Sequence, residues 1–329
     1  MDRRSVLVLG IVVVALAGCS ATHTTSNVPN GLTPEQQAVT TTLGSVPELL
    51  DDGLSDAGGT AGFSARPEIG GRLVPVEPEG SPDPTGPTPA PRVERRFWRV
   101  ITGVERSIDY TLTDADDAGR PRSAHVVIHK HLTGEFHVQF VDTIPSSTGG
   151  DSIVVSQIVK PLKDHWVRHV WLVRRVVPGG DDSRHGWRVV ALSAVAVTSE
   201  TDDGGQQPHI QSIRLQAGER DTTFSDPAAA IHWRDLWHVP GSAAVQVTVT
   251  TDHPDDVVLL VHRDHRLRLT ANGDNTYSGS WDATGIAGLK HFGVNALSQA
   301  TLMDPDTGYH SDAWFFPFEN DGESIAADE

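Results

Sequence analysis

Apolar positions fall into three regimes along this chain. Ser5 to Ala17 (SVLVLGIVVVALA) is one uncharged apolar run. From Ser20 to about Arg95 apolar residues are sparse, and beyond Phe97 they recur mostly at every second position. A period of two places apolar and polar side chains on opposite faces of a strand. Ile108, Tyr110 and Leu112 alternate with Asp109 and Thr111 in this way. Ser123–Leu132 and Phe136–Val141 predict two strands joined as a hairpin around Thr133-Gly134. Ile153–Val159, Trp166–Val177, the Val- and Ala-rich Gly186–Ser199 and Ile210–Leu215 continue the series, with turns rich in Gly, Asp and Ser between them. Residues 96–222 therefore read as one antiparallel β domain of six or seven strands.

Ser225-Asp226-Pro227 marks a boundary, and residues 225–318 read as a second β domain. Val245, Val247 and Val249 alternate with polar partners, Val257–Val261 is a buried run, and Asn272-Gly273-Asp274-Asn275 is a hairpin turn in which Asn-Gly supplies positive φ. The stretch NGDNTYSGSWDATGIAGLKHFGVN (Asn272–Asn295) resembles the middle of bacterial immunoglobulin-like domains, which implies a sandwich here, of the kind without a disulfide. For the first domain the alternative is an α+β fold similar to cystatin-like or nuclear-transport-factor-like proteins, a curled sheet carrying one helix, with Arg96–Val104 as the helical segment. The fold class is thus mainly β, two antiparallel β domains, and residues 319–329 form an acidic tail.

Residues 19–95 read as a tether. Prolines recur from Pro67 to Pro91, and such a segment lacks the apolar surface needed to fold. One short helix is predicted within it. Thr33 serves as its N-cap, Pro34 as its first residue and Glu35 as the acid of its first turn, with Val39, Leu43, Val46 and Leu50 on one stripe.

The leading apolar run is too short to span a bilayer, which takes ~20 apolar residues, and follows the basic pair Arg3-Arg4. It ends in Leu16-Ala17-Gly18-Cys19, which resembles the lipobox of bacterial lipoproteins. That resemblance implies removal of residues 1–18 as a signal peptide, acylation of Cys19, and a lipid bilayer as partner at the cell envelope, with the outer membrane favoured if the cell is Gram-negative. Cys19 is the only cysteine, so acylation removes a reactive thiol and no internal disulfide forms. The 329 residues carry a formal charge of −17. The charge becomes about −18 once Asp2, Arg3 and Arg4 leave, a surface that repels nucleic acid and anionic lipid.

Histidine is the one abundant reactive type, with 16 residues. His125, His129, His131 and His137 share odd numbering and therefore one strand face. A hairpin at Thr133-Gly134 brings His129, His131 and His137 together with Glu135 as candidate ligands of a divalent metal. His165 and His169 lie four apart, ~13 Å along a strand, too far to chelate together. Asp304-Pro305-Asp306-Thr307-Gly308 resembles the start of a calcium loop but lacks the closing Glu. Trp233 and Trp237 are candidate platforms for stacking a glycan, with burial as the alternative. No nucleophile motif is present, and the adjacent His310-Ser311-Asp312 cannot form a triad because sequence neighbours point apart. These features favour a non-enzymatic binding or structural module, with an envelope protein or glycan as further partner. A metal-binding protein or metal-dependent hydrolase and a glycan-binding lipoprotein are the alternatives.

Overall fold

The computed structural model describes residues 23–26, 31–46, 92–117, 119–144, 152–175, 186–241, 243–262, 265–283 and 287–321. The leader with Cys19, Leu50, the whole Pro-rich segment and the tail from residue 322 lie outside the described residues.

Three strands dominate: β2 (Arg92–Ala115), β3 (Pro121–Ile144) and β4 (Ser152–Arg174), antiparallel to one another over almost their whole lengths. β1 (His23–Ser26) runs parallel to β2 at its outer edge. β5 (Trp187–Ser199) follows β4 and pairs with its second half, Asp164–Arg174. The sheet then continues through the end of the chain. β16 (Ser311–Asn320) joins β5, β15 (Gly288–Leu297) joins β16, β11 (Val257–His262) joins β15, and β12 (His265–Arg268) closes the edge. Two short strands attach to its flanks, β8 (Ile231–His232) on β5 and β9 (Trp237–Val239), parallel, on β16.

The second sheet has five strands in the order β13 (Thr270–Gly273), β14 (Thr276–Asp282), β10 (Ala244–Thr251), β6 (Ile210–Ala217) and β7 (Arg220–Phe224). The chain is therefore mainly β, with two antiparallel sheets. Both sheets are shared across Ser225-Asp226-Pro227. β6, with β7 at its outer side, precedes that stretch yet pairs with β10 beyond it, and β16 lies beyond it yet pairs with β5. The turn at Asn272–Asn275 forms as expected, with positive φ at Gly273, Asp274 and Asn275.

The two sheets pack face to face. Ile213, Leu215, Val247, Val249 and Tyr277 of the small sheet meet Phe292, Val294, Trp314, Phe316 and Phe318 of the large one in a single apolar cluster. Period-two alternation supplies this: in β10 the valines are buried and Ala244 and Gln246 exposed. The other side of the large sheet curls around a second core, closed by α1 (Pro34–Gly44). Thr33 caps α1 as expected, in a reciprocal capping box with Gln36. The helix stops at Gly44 rather than near Leu50, and it is part of the folded body. Ala38, Val39 and Leu43 are buried against Val126, Trp166, Val170 and Phe315. Glu35 binds Arg174 at 2.8 Å and the Trp187 indole N–H at 3.3 Å. Residues 19–95 are thus not a tether throughout. One helix does pack on a curled sheet, but it comes from residues 34–44, and the described Arg96–Val104 is strand.

The expected hairpin at Thr133-Gly134 does not form. β3 runs straight through these residues, and the irregularity lies in its partner, where the register between β2 and β3 shifts between Ile101 and Gly103. This is a β-bulge at Thr102. A Cβ on Gly134 would stand 2.0 Å from the Val100 carbonyl oxygen, so glycine is required by the close approach of β2 rather than by a turn. The bulge also exchanges the inward parity of β2, from the buried Phe97 and Arg99 to the buried Val104.

Candidate functional site

β3 and β4 carry one buried face and one open one. Even-numbered Ala124, Val126, Ile128, Trp166, Val170 and Leu172 enter the core. The odd-numbered residues face outwards, where the antiparallel register sets His131 opposite His165 and His125 opposite Trp171. Of the six imidazoles on this face, five form one row and His137 stands apart. His125 Nε2 lies 3.0 Å from His169 Nδ1, and His129 Nδ1 lies 3.0 Å from His165 Nε2. The His131 ring stacks on His165 with centroids 4.5 Å apart, and His125 stacks on Trp171 at 5.0 Å. Carboxylates frame the row: Glu200 is 3.1 Å from His131 Nδ1, and Asp109 is 3.4 Å from His129 Nε2.

Each His–His contact needs one ring to donate N–H and the other to accept it with a lone pair. A second proton between the two nitrogens would break the bond. Burial holds His165 below the ordinary histidine value, helped by His131 and His129 and opposed by Glu200. Burial acts likewise on His169, with His125 as the next cause. Acid that puts a proton on both facing nitrogens therefore breaks each His–His pair.

The proposed metal ligands are not brought together. His129 and His131 belong to this row, whereas His137 lies six residues farther along the same strand, about 20 Å at the strand rise. His137 is bound there to Glu135 at 2.9 Å, accepts or shares a bond with the Gln157 amide at 2.6 Å, and stacks on Trp98. Without the hairpin nothing folds His137 back. Among the described residues, no three His, Cys, Asp or Glu side chains converge as ligands of one ion. Sequence reasoning rejected His165 with His169 as a mutual pair and so missed that each pairs across to β3. Their shared odd parity with His125 and His129 was the available signal.

The calcium-like loop binds a cation of another kind. The buried Lys160 ammonium donates to the Asp304 carbonyl at 2.6 Å and also to the Thr307 carbonyl, at the end of α2 (Gln299–Met303). The Asp304 carboxylate accepts from Asp306 N–H and the Thr307 hydroxyl, which close the loop on itself.

The residues of His310-Ser311-Asp312 go to separate partners. His310 Nε2 is 2.8 Å from Asp203, and Nδ1 is 3.3 Å from Gln207. The Ser311 hydroxyl accepts from Arg99 at 3.1 Å and donates to Asn295 at 2.8 Å. Asp312 accepts the Ile210 N–H at 2.8 Å. Arg99 also stands 3.5 Å from the fully buried Asp164, whose carboxyl burial pushes up against the opposing pull of that guanidinium. This polar network went unforeseen, although Asp164 occupies an inward, even-numbered position of an apolar strand.

The tryptophan pair is corrected as well. Trp237 is 6% exposed and packs among Trp281, Phe292 and Phe318. β9 takes it there, because Trp237 pairs with Phe318. Trp233 sits half-buried in a separate one-turn 3-10 helix, Trp233–Asp235, so the two rings form no common platform. A cleft of about 400 Å³ reaches Trp237 but not Trp233 and is lined as well by Glu219, Arg220, Asp221, Asp235 and Phe224.

Compared with family models, curated proteins and solved structures, the chain matches none.

Proposed function

We propose that this chain is a lipid-anchored protein of the bacterial cell envelope, held through acylated Cys19, and that its β body acts as a binding or structural module rather than as an enzyme. The observation that carries the reading is Leu16-Ala17-Gly18-Cys19 directly after an uncharged apolar run, with Cys19 the only cysteine. Two or three acyl chains on one residue make attachment effectively permanent, whereas one chain gives marginal binding. β1 begins at His23, four residues after Cys19, so the body would be held within about 14 Å of the anchor. In support of a non-catalytic body, the reactive side chains are committed to structural partners. His125 bonds His169, His129 bonds His165, His131 and His137 each bond a glutamate, and His310, Ser311 and Asp312 each brace a different part of the fold.

The test is metabolic labelling of the full chain in a lipoprotein-processing bacterium with an alkyne-bearing fatty acid. The parent chain should take up label and enter the detergent phase of a Triton X-114 separation. Cys19→Ser should lose both properties. A parent chain that takes up no label overturns the reading.

A further inference from the structure

β4 is paired along its whole length on one side by β3, but β5 covers only Asp164–Arg174 on the other. Among the described residues, no strand lies against the remaining edge, Ser152–Lys163. The polarity of that edge follows from one hydrogen bond. Glu200 N–H donates to the Lys163 carbonyl at 2.8 Å, so Lys163 turns its backbone groups to the side of β5. Backbone direction alternates along a strand. Residues 153, 155, 157, 159 and 161 therefore present their backbone groups to the open edge. Position 161 is proline, whose missing N–H is tolerated at such an edge.

The side chains here are unlike those of the rest of the surface. Ser152–Val159 (SIVVSQIV) carries no charge in a chain of net charge −17. Val154, Val155 and Val159 are 45%, 56% and 49% exposed. Edge strands ordinarily carry charges or are covered, because an uncharged flat edge recruits another strand.

We infer that this edge pairs with the same edge of a second copy, antiparallel about a two-fold axis through Ser156. That register sets Val155 of one copy opposite Gln157 of the other, and residue 153 opposite Val159. All four are residues whose backbone groups face outwards, so they form about eight inter-chain hydrogen bonds. Val154 meets Ile158 on one face, an apolar pair of the sort that stabilises sheets. Two acidic bodies repel least where neither carries charge, which favours this segment over other meeting points. An acidic or basic peptide partner would find no complementary charge on it. A seven-residue edge is small for a lasting complex, so the dimer is expected to be weak and concentration-dependent.

Cysteine substitution tests the register in the full chain. Ser156→Cys places two thiols across a non-hydrogen-bonded pair, with Cα atoms about 4.5 Å apart, within disulfide range. Val154→Cys lies opposite Ile158 and has no such partner. Under mild oxidation Ser156→Cys should give a covalent dimer on a non-reducing gel, well above the level of Val154→Cys and of the parent chain with its native Cys19. Gln157→Pro removes one outward N–H while leaving the β3 ladder intact, so it should abolish concentration-dependent dimerisation in sedimentation without altering the far-UV circular dichroism. Equal cross-linking of all three chains, or a sedimenting monomer at 100 µM, overturns the proposal. So does slow hydrogen exchange of amides 153–159 in a monomer, which would mean that the chain's own residues cover the edge.

Discussion

Replacing Gly134 by alanine should destabilise the long β2–β3–β4 sheet by an amount set by its geometry. The new Cβ would lie 2.0 Å from the Val100 carbonyl oxygen, 2.9 Å from the Val100 carbonyl carbon and 3.0 Å from Ile101 Cα. All three are backbone atoms, so no side-chain rotation relieves the clash. Optimal carbon contacts lie near 3.5–4.0 Å, so the strands must part by about 1 Å. Overpacking of this kind costs about 1–3 kcal/mol. Loosening two flanking ladder bonds adds about 0.5–1.5 kcal/mol each. The expected loss is about 2–6 kcal/mol. With a urea m-value of about 3 kcal/mol/M, the midpoint falls by about 0.7–2 M. Hydrogen exchange should accelerate first around residues 100–104 and 132–136. Gly44→Ala is the control, since a Cβ there meets nothing within 4 Å. If Gly134→Ala unfolds within 0.5 kcal/mol of the parent, β2 does not approach there and the bulge is wrong.

Two sets of groups should act on stability in opposite directions of pH. His165 and His169 titrate below the ordinary value of 6.5, so the unfolded chain binds more protons and stability falls as pH drops below about 6.5; the double change to Gln should flatten that arm in urea titrations. Burial pushes Asp312 up to about 6, so the folded chain binds more protons above pH 3.8, and this contribution is lost as pH rises through about 6. Asp312→Asn keeps an acceptor for the Ile210 N–H and should be relatively more stable than the parent at pH 7 than at pH 4. Trp237→Ala should cost about 3–5 kcal/mol in chemical unfolding, as for a core aromatic; a change below 1 kcal/mol would return Trp237 to the surface as a stacking platform.

Much of the local structure was legible in the residues alone. The Thr33–Pro34–Glu35 start of α1, the positive-φ turn at Gly273, the buried parity of Val245, Val247 and Val249, and the shared face of His125, His129 and His131 all depend on interactions within a few residues. Backbone periodicity and turn chemistry fix such features whatever the chain does farther away. Partner choice is different. Thr133-Gly134 reads the same whether glycine makes a turn or admits the bulge of a neighbouring strand, and only β2, some thirty residues earlier in the chain, decides between them. The same holds for Trp237, buried because β16 lies beside β9, and for Asp164, which tolerates its inward position because Arg99 comes from β2. Ladder hydrogen bonds do not carry the identity of the strand that accepts them. Strand order, and with it every cross-strand contact of the histidine row, is set by how the apolar faces of distant segments bury one another.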